Sequence, residues 1–100
     1  MAAVTASLTA DGNTDPLQII GHFNFSLSGS WDATVTVQRS WNKSDWFDVD
    51  TFTSNFEGVG FDAEEVYYRA GVKTGDFTSG TVSLRISDNR DFNSKTVFLA

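Results

Sequence analysis

From residue 66 to residue 87 apolar and polar side chains alternate with a period of two. Val66, Tyr68, Ala70 and Val72 share one parity, and Tyr67, Arg69, Gly71 and Lys73 share the other. After TGDFTSG at 74–80 the period returns, with Val82, Leu84 and Ile86 set against Ser83, Arg85 and Ser87. Strict alternation marks a strand with one buried face, and Gly, Asp and Ser supply turn chemistry between two such runs. The pattern predicts an antiparallel hairpin with Lys73 opposite Thr81, Val72 opposite Val82, Ala70 opposite Leu84 and Arg69 opposite Arg85.

The same reading extends along the chain. Residues 4–10 alternate Val4, Ala6, Leu8 and Ala10 against Thr5, Ser7 and Thr9, a first strand with small apolar side chains. DGNTDP at 11–16 reads as a loop, because Pro16 cannot sit in a continuous central strand. In 17–28, Phe23, Phe25 and Leu27 face one way and His22, Asn24, Ser26 and Ser28 the other; Gly29-Ser30 is then a predicted turn. Ala33, Val35 and Val37 face inward on the next strand, and 41–45 is a polar connection apart from Trp41. Residues 46–54 carry aromatics on both parities, Phe47 and Val49 against Trp46 and Phe52, which predicts a bulge or an edge position. Residues 56–65 are broken by glycine, with a short strand around Val59 and Phe61 and then a solvated acidic turn. Seven or eight short strands separated by turn signals predict an all-β fold. The expected architecture is an antiparallel two-sheet β-sandwich, immunoglobulin-like, with a jelly roll as the alternative. A single domain spans residues 1–100, with 88–100 as a C-terminal edge strand or an assembly arm.

Composition sharpens this picture at three points. Nine Phe and three Trp in 100 residues argue for a packed core rather than disorder. The absence of cysteine leaves stability to packing or to a partner subunit, with no disulfide staple. A net charge of −6 argues against binding along nucleic-acid phosphates. The first residues carry neither the basic start nor the apolar run of a signal peptide, and no stretch approaches the roughly 20 apolar residues of a membrane span. The expectation is a protein kept as a soluble product and not exported, with no membrane partner.

Candidate chemistry is sparse. The single histidine, His22, sits on a strand with no nucleophile placed beside it. Glu57, Asp62, Glu64 and Glu65 read as solvated charge rather than as a glycosidase pair. Asp11, Asn13 and Asp15 open like a calcium loop, but Pro16 stands where the loop needs glycine and His22 where it needs glutamate. Side-chain-to-backbone turn bonds account for them instead. The sequence therefore predicts no catalytic residue, no cofactor and no metal. Trp31, Trp41 and Trp46 lie near loops; Trp31 and Trp46 are expected to be largely core and Trp41 the most exposed. An exposed Trp41 would be the sugar contact if the domain bound carbohydrate.

The succession FNFSLSGSW at 23–31, TVTVQRS at 34–40, DVDTFT at 48–53, EGVGF at 57–61 and YRAGVKTGDFTSGTV at 68–82 resembles small virion proteins of tailed bacteriophages. The resemblance implies a compact β-sandwich that decorates or cements the head by protein–protein contacts, without catalysis. A tail or baseplate-associated module is one alternative and a carbohydrate-binding domain the other. It also implies capsid or other virion proteins as partners, residence in the virion, and symmetric homo-oligomers such as a trimer at three-fold positions. The residues at 42–45 depart from it, lacking a glycine-rich turn, and 88–100 lies beyond it. Expected partner contacts are a basic spot of Arg69, Lys73 and Arg85, the turn residue Phe77, and the C-terminal cluster of Phe92, Val97, Phe98 and Leu99. That cluster calls for burial, either on its own domain or on a neighbour. A thirteen-residue tail, if extended, reaches roughly 40 Å.

Overall fold

The computed structural model describes residues 2–88. Five strands, β1 (Ala3–Leu8), β2 (Gly12–Asn13), β3 (Leu17–Ser40), β4 (Phe47–Phe52) and β5 (Phe56–Asp88), form one antiparallel sheet in the order β1-β5-β3-β4, with β2 also on β5. Among the described residues there is no helix, and none long and apolar enough to cross a membrane.

β3 and β5 are far longer than ordinary strands because each changes partners along its length. In one region β3 residues 23–27 lie between two parts of β5, residues 56–60 on one side and 84–88 on the other, and β3 residues 28–32 continue against 79–83, with β1 outside 82–87. In the other region β5 residues 67–72 pair with β3 residues 35–40, whose far side takes β4, while β2 and β3 residues 17–19 line the opposite side of β5. The inner faces of the two regions meet. Phe23 of the first lies 4.6 Å from the Tyr68 ring of the second, and Phe25 lies 5.4 Å from Phe52.

The core is the set that alternation picks out. Phe23, Phe25, Leu27, Val35, Val37, Val66, Tyr68, Ala70, Val72, Val82, Leu84 and Ile86 are all buried in one cluster. Fully burying a side chain of this size contributes about 1.5–3 kcal/mol, which is how a domain without disulfides holds together.

The connections differ from the expectation. Residues 66–73 and 81–87 are not a hairpin: Arg69 faces Gln38, and Arg85 lies between Ser26 and Thr5. Strand pairing also runs straight through Gly29-Ser30 and through residues 77–80. Gly29 (φ 105°) and Gly80 (φ 94°) hold conformations that side chains disfavour. A Cβ on Gly29 would run into the Thr81 carbonyl, and one on Gly80 into the backbone of Ser30 and Trp31. These glycines let two paired backbones close up where the sheet bends; they do not reverse the chain. Phe77, expected at a turn apex, lies opposite Ala33 and packs half-buried against the core. The predicted loop at 11–16 contains β2, and Thr14 prolongs the pairing through its N–H to the Ala70 carbonyl at 2.8 Å. β4 is both an edge strand and bulged: Val37 faces Asp50 but Gln38 faces Asp48, leaving Val49 as the extra residue.

Candidate functional site

The described sheet does not close between β4 and the first part of β5. The outer edge of β4 and the outer edge of residues 56–61 have no strand partner among the described residues. Residues directly opposite one another share a face. Phe52 and Asp50, opposite Val35 and Val37, therefore point inward, and so does Phe47 opposite Arg39. On the other lip Phe56, Gly58 and Gly60 stand opposite the buried Leu27, Phe25 and Phe23.

Two inward positions on that lip are glycines, so the strand offers backbone where side chains would otherwise fill the gap. The Phe23 ring lies against Gly60, and the Phe56 ring folds over Gly58. Phe52 and Phe56 join the lips at one end, their rings 4.7 Å apart. Beyond them opens a cleft of about 200 Å³, floored by Phe23, Phe25, Val37 and Tyr68 and flanked by Val49, Asp50, Val59 and Phe61. Its lips carry exposed apolar side chains as well: outward-facing Val59 is 69% exposed and Phe61 61%, with Phe47 and the bulged Val49 about half exposed. Exposed large apolar side chains are ordinary when scattered singly and call for an account when several border one cleft.

A charged network terminates the cleft. Asp62 is buried, its two oxygens accepting from Arg39 Nε at 2.9 Å and Nη2 at 3.1 Å, from the Tyr68 hydroxyl at 2.9 Å and from the Glu64 N–H at 3.1 Å. Burial pushes the Asp62 carboxyl up, but the Glu64 N–H, the Tyr68 hydroxyl and Arg39 together hold it below the ordinary carboxylate range. Burial and then the Asp62 carboxylate push Tyr68 to about 12. Arg39 lies over the Trp41 ring at 4.7 Å, and the Trp41 indole N–H donates to Glu64 at 2.7 Å. The reading of Asp62 as solvated charge is therefore corrected. Its signal was parity, since it continues the inward series of Phe56, Gly58 and Gly60.

A second, shallower depression lies beside the first, lined by Trp41, Trp46 and Phe47 around the loop at 42–45. The Asn42 side chain holds that loop, its Oδ1 accepting from the N–H groups of Ser44 at 2.8 Å and Asp45 at 2.9 Å. Trp41 is the most exposed indole, as expected. Trp31 packs half-buried against the core, but Trp46 is not part of it. One face of Trp46 is covered by the Arg69 guanidinium at 4.1 Å.

The basic residues do not form one spot. Arg69 donates to Gln38 Oε1 at 2.9 Å, and Lys73 reaches Asp48 on β4 at 2.6 Å. Arg85 belongs to the other pairing region and donates to Ser87 Oγ at 3.1 Å. His22 is exposed, 4.9 Å from the Phe61 ring. Asp11 accepts from the Gly75 N–H at 3.1 Å, and among the described residues no three His, Cys, Asp or Glu side chains are grouped to hold a metal. Phe92, Val97, Phe98 and Leu99 lie outside the described residues. No protein-family model, curated protein or solved structure matches the chain.

Proposed function

We propose that this protein is a structural subunit of a bacteriophage virion, a head-decoration subunit that cements the shell through protein–protein contacts. One observation carries the reading: large apolar side chains stand exposed on the two strands that border the cleft, whose outer edges have no strand partner among the described residues. Edge strands normally blunt themselves with charge, and β4 does so only in part through Asp48 and Asp50. An apolar edge is instead a template for pairing with another chain. In this reading the bent sheet is a two-layer sandwich, its layers being the two pairing regions, with an immunoglobulin-like arrangement preferred to a jelly roll. Its action is mechanical, clamping neighbouring subunits by burying the cleft and its lips. The resemblance of residues 23–87 to small virion proteins supports the placement on a phage particle, with the head preferred to the tail or baseplate.

Co-sedimentation of the purified chain with phage shells lacking it tests the proposal. Binding that saturates, and that falls when Val59 and Phe61 are both changed to Ser, is the expected result. Failure to bind shells, with binding in a glycan screen, would move the protein to the second reading. That reading is a carbohydrate-binding domain using the depression around Trp41 and Trp46, where indoles and amide and carboxylate groups share one shallow surface.

A further inference from the structure

We infer that the cleft between β4 and the first part of β5 receives the C-terminal segment of a second copy of this chain, residues 92–99, as an added strand. The inference rests on the reading of the cleft as an assembly surface and names what fills it.

Two features fit this occupant. The lips are apolar on both sides, with the floor inside and Val59 and Phe61 outside. A strand that completes such an edge needs apolar side chains of both parities near one position. The run Val97-Phe98-Leu99 has that pattern: Val97 and Leu99 share one face and Phe98 takes the other. Lys95 falls on the parity of Val97 and Leu99, which turns it toward the inward-pointing Asp50 on the cleft wall.

The direction of the chain selects a second copy over the same one. Residues 79–88 and 56–62 both run antiparallel to β3, and so run parallel to each other. Asp88 lies opposite Phe23, as Gly60 does on the other side, so residues 79–88 head toward the Asp62 end of the cleft. To enter its own cleft it would have to cross β3 and residues 56–60, a lateral distance of about 10 Å at ordinary strand spacing, and then reverse. Continuing straight, residues 89–100 span roughly 40 Å if extended, enough to reach a neighbour. Each copy then offers one cleft and one segment, a head-to-tail interface that closes into a ring when the rotation permits.

The chain has no native cysteine, so engineered pairs report cleanly. Chains carrying Val59→Cys alone and chains carrying Phe98→Cys alone, two positions on the outward face of the added strand pair, are mixed, oxidised without any shell present, and resolved by non-reducing electrophoresis and mass spectrometry. The expected product is a mixed dimer joined from position 59 to position 98. It should exceed by about tenfold the dimer formed when Thr5→Cys, on the opposite edge, replaces Val59→Cys, since a docked segment has a high effective concentration. No cross-link, equal cross-linking at position 5, or joining of two position-59 cysteines instead would overturn the inference. So would a doubly substituted chain that links only within itself, because that places the segment in its own cleft. Shell binding is measured separately with the unaltered chain. Cross-linking without shell binding removes the virion and keeps the strand exchange, and shell binding without cross-linking does the reverse.

Discussion

Among the described residues the sheet is open on two sides, and the two sides are built from different materials. At the N-terminal edge β1 alternates exposed Ala3, Thr5 and Ser7 with half-buried Val4, Ala6 and Leu8, all small or mid-sized. At the other edge β4 and residues 56–61 expose Phe47, Val49, Val59 and Phe61. Both edges leave backbone groups unpaired on one side, yet only the second adds apolar surface and a cleft. The difference shows that an open edge is not itself a binding site. Hydrogen-bonding capacity is common to both, and side-chain composition decides which edge has to be covered.

The sharpest way to break this comparison is at the closed end of the cleft. Asp62→Ala leaves Arg39 and the buried Tyr68 hydroxyl without their acceptor, and should cost about 2–3 kcal/mol in urea unfolding. That is less than for a wholly buried pair, because Arg39 keeps contact with water. A loss below about 0.5 kcal/mol would make this end an ordinary surface like the outer face of β1.

Next in size is an added methyl. Gly60→Ala places a Cβ in the Phe23 ring and should destabilise by about 1–3 kcal/mol. Ser7→Thr on the exposed face of β1 adds the same group and should change stability by less than about 0.5 kcal/mol. Equal effects on thermal melting would mean that the two edges are packed alike.

Titration gives a third probe. Asp62 is held below its ordinary value, so its contribution is present above about pH 4 and is lost as pH falls through the folded value. Tyr68 is raised from 10.0 to about 12, so its contribution is complete below pH 10 and is lost as pH rises through that value. Tyr68→Phe should cost about 1 kcal/mol at neutral pH and make the alkaline limb shallower. An unchanged alkaline limb would remove Tyr68 from the network. Substitutions in β1 should leave both limbs in place.

The smallest expected effect on stability belongs to the exposed lip. Val59→Ser with Phe61→Ser should shift melting of the isolated chain by less than about 1 kcal/mol while abolishing self-association measured by sedimentation. If Thr5→Ser on β1 weakens association as much, the distinction between the edges fails.

Alternation exposed the buried face of nearly every strand, because a period of two is written in the side chains themselves. Val66, Tyr68, Ala70, Val72, Val82, Leu84 and Ile86 could all be placed that way. Which strands lie side by side could not. Gly29 and the glycines of 74–80 carry the same local signal whether a chain reverses or two backbones close up at a bend, and only the Thr81 and Ser30 carbonyls across the sheet decide between them. The error then propagated: a hairpin set Arg69 against Arg85, where the sheet sets Gln38 and Ser26. The cleft was hidden for a related reason. Its lips, β4 and residues 56–61, read as one weak strand and one glycine-broken segment, and their facing one another depends on pairings far away in sequence.

The pairing of Ala3 with Ser87 has a consequence for how the molecule comes into being. The first strand has its partner at the far end of the described chain, and β3 must hold two separate stretches of β5 at once. Such non-local closure slows folding, which places this chain among all-β domains that fold in milliseconds to seconds rather than microseconds. During synthesis β1 emerges first and waits for β5, while the aromatic lips between residues 47 and 61 are already outside the ribosome. Nascent chains that meet in that interval are at risk of joining lip to lip, and overproduction at elevated temperature should favour aggregates over the folded subunit.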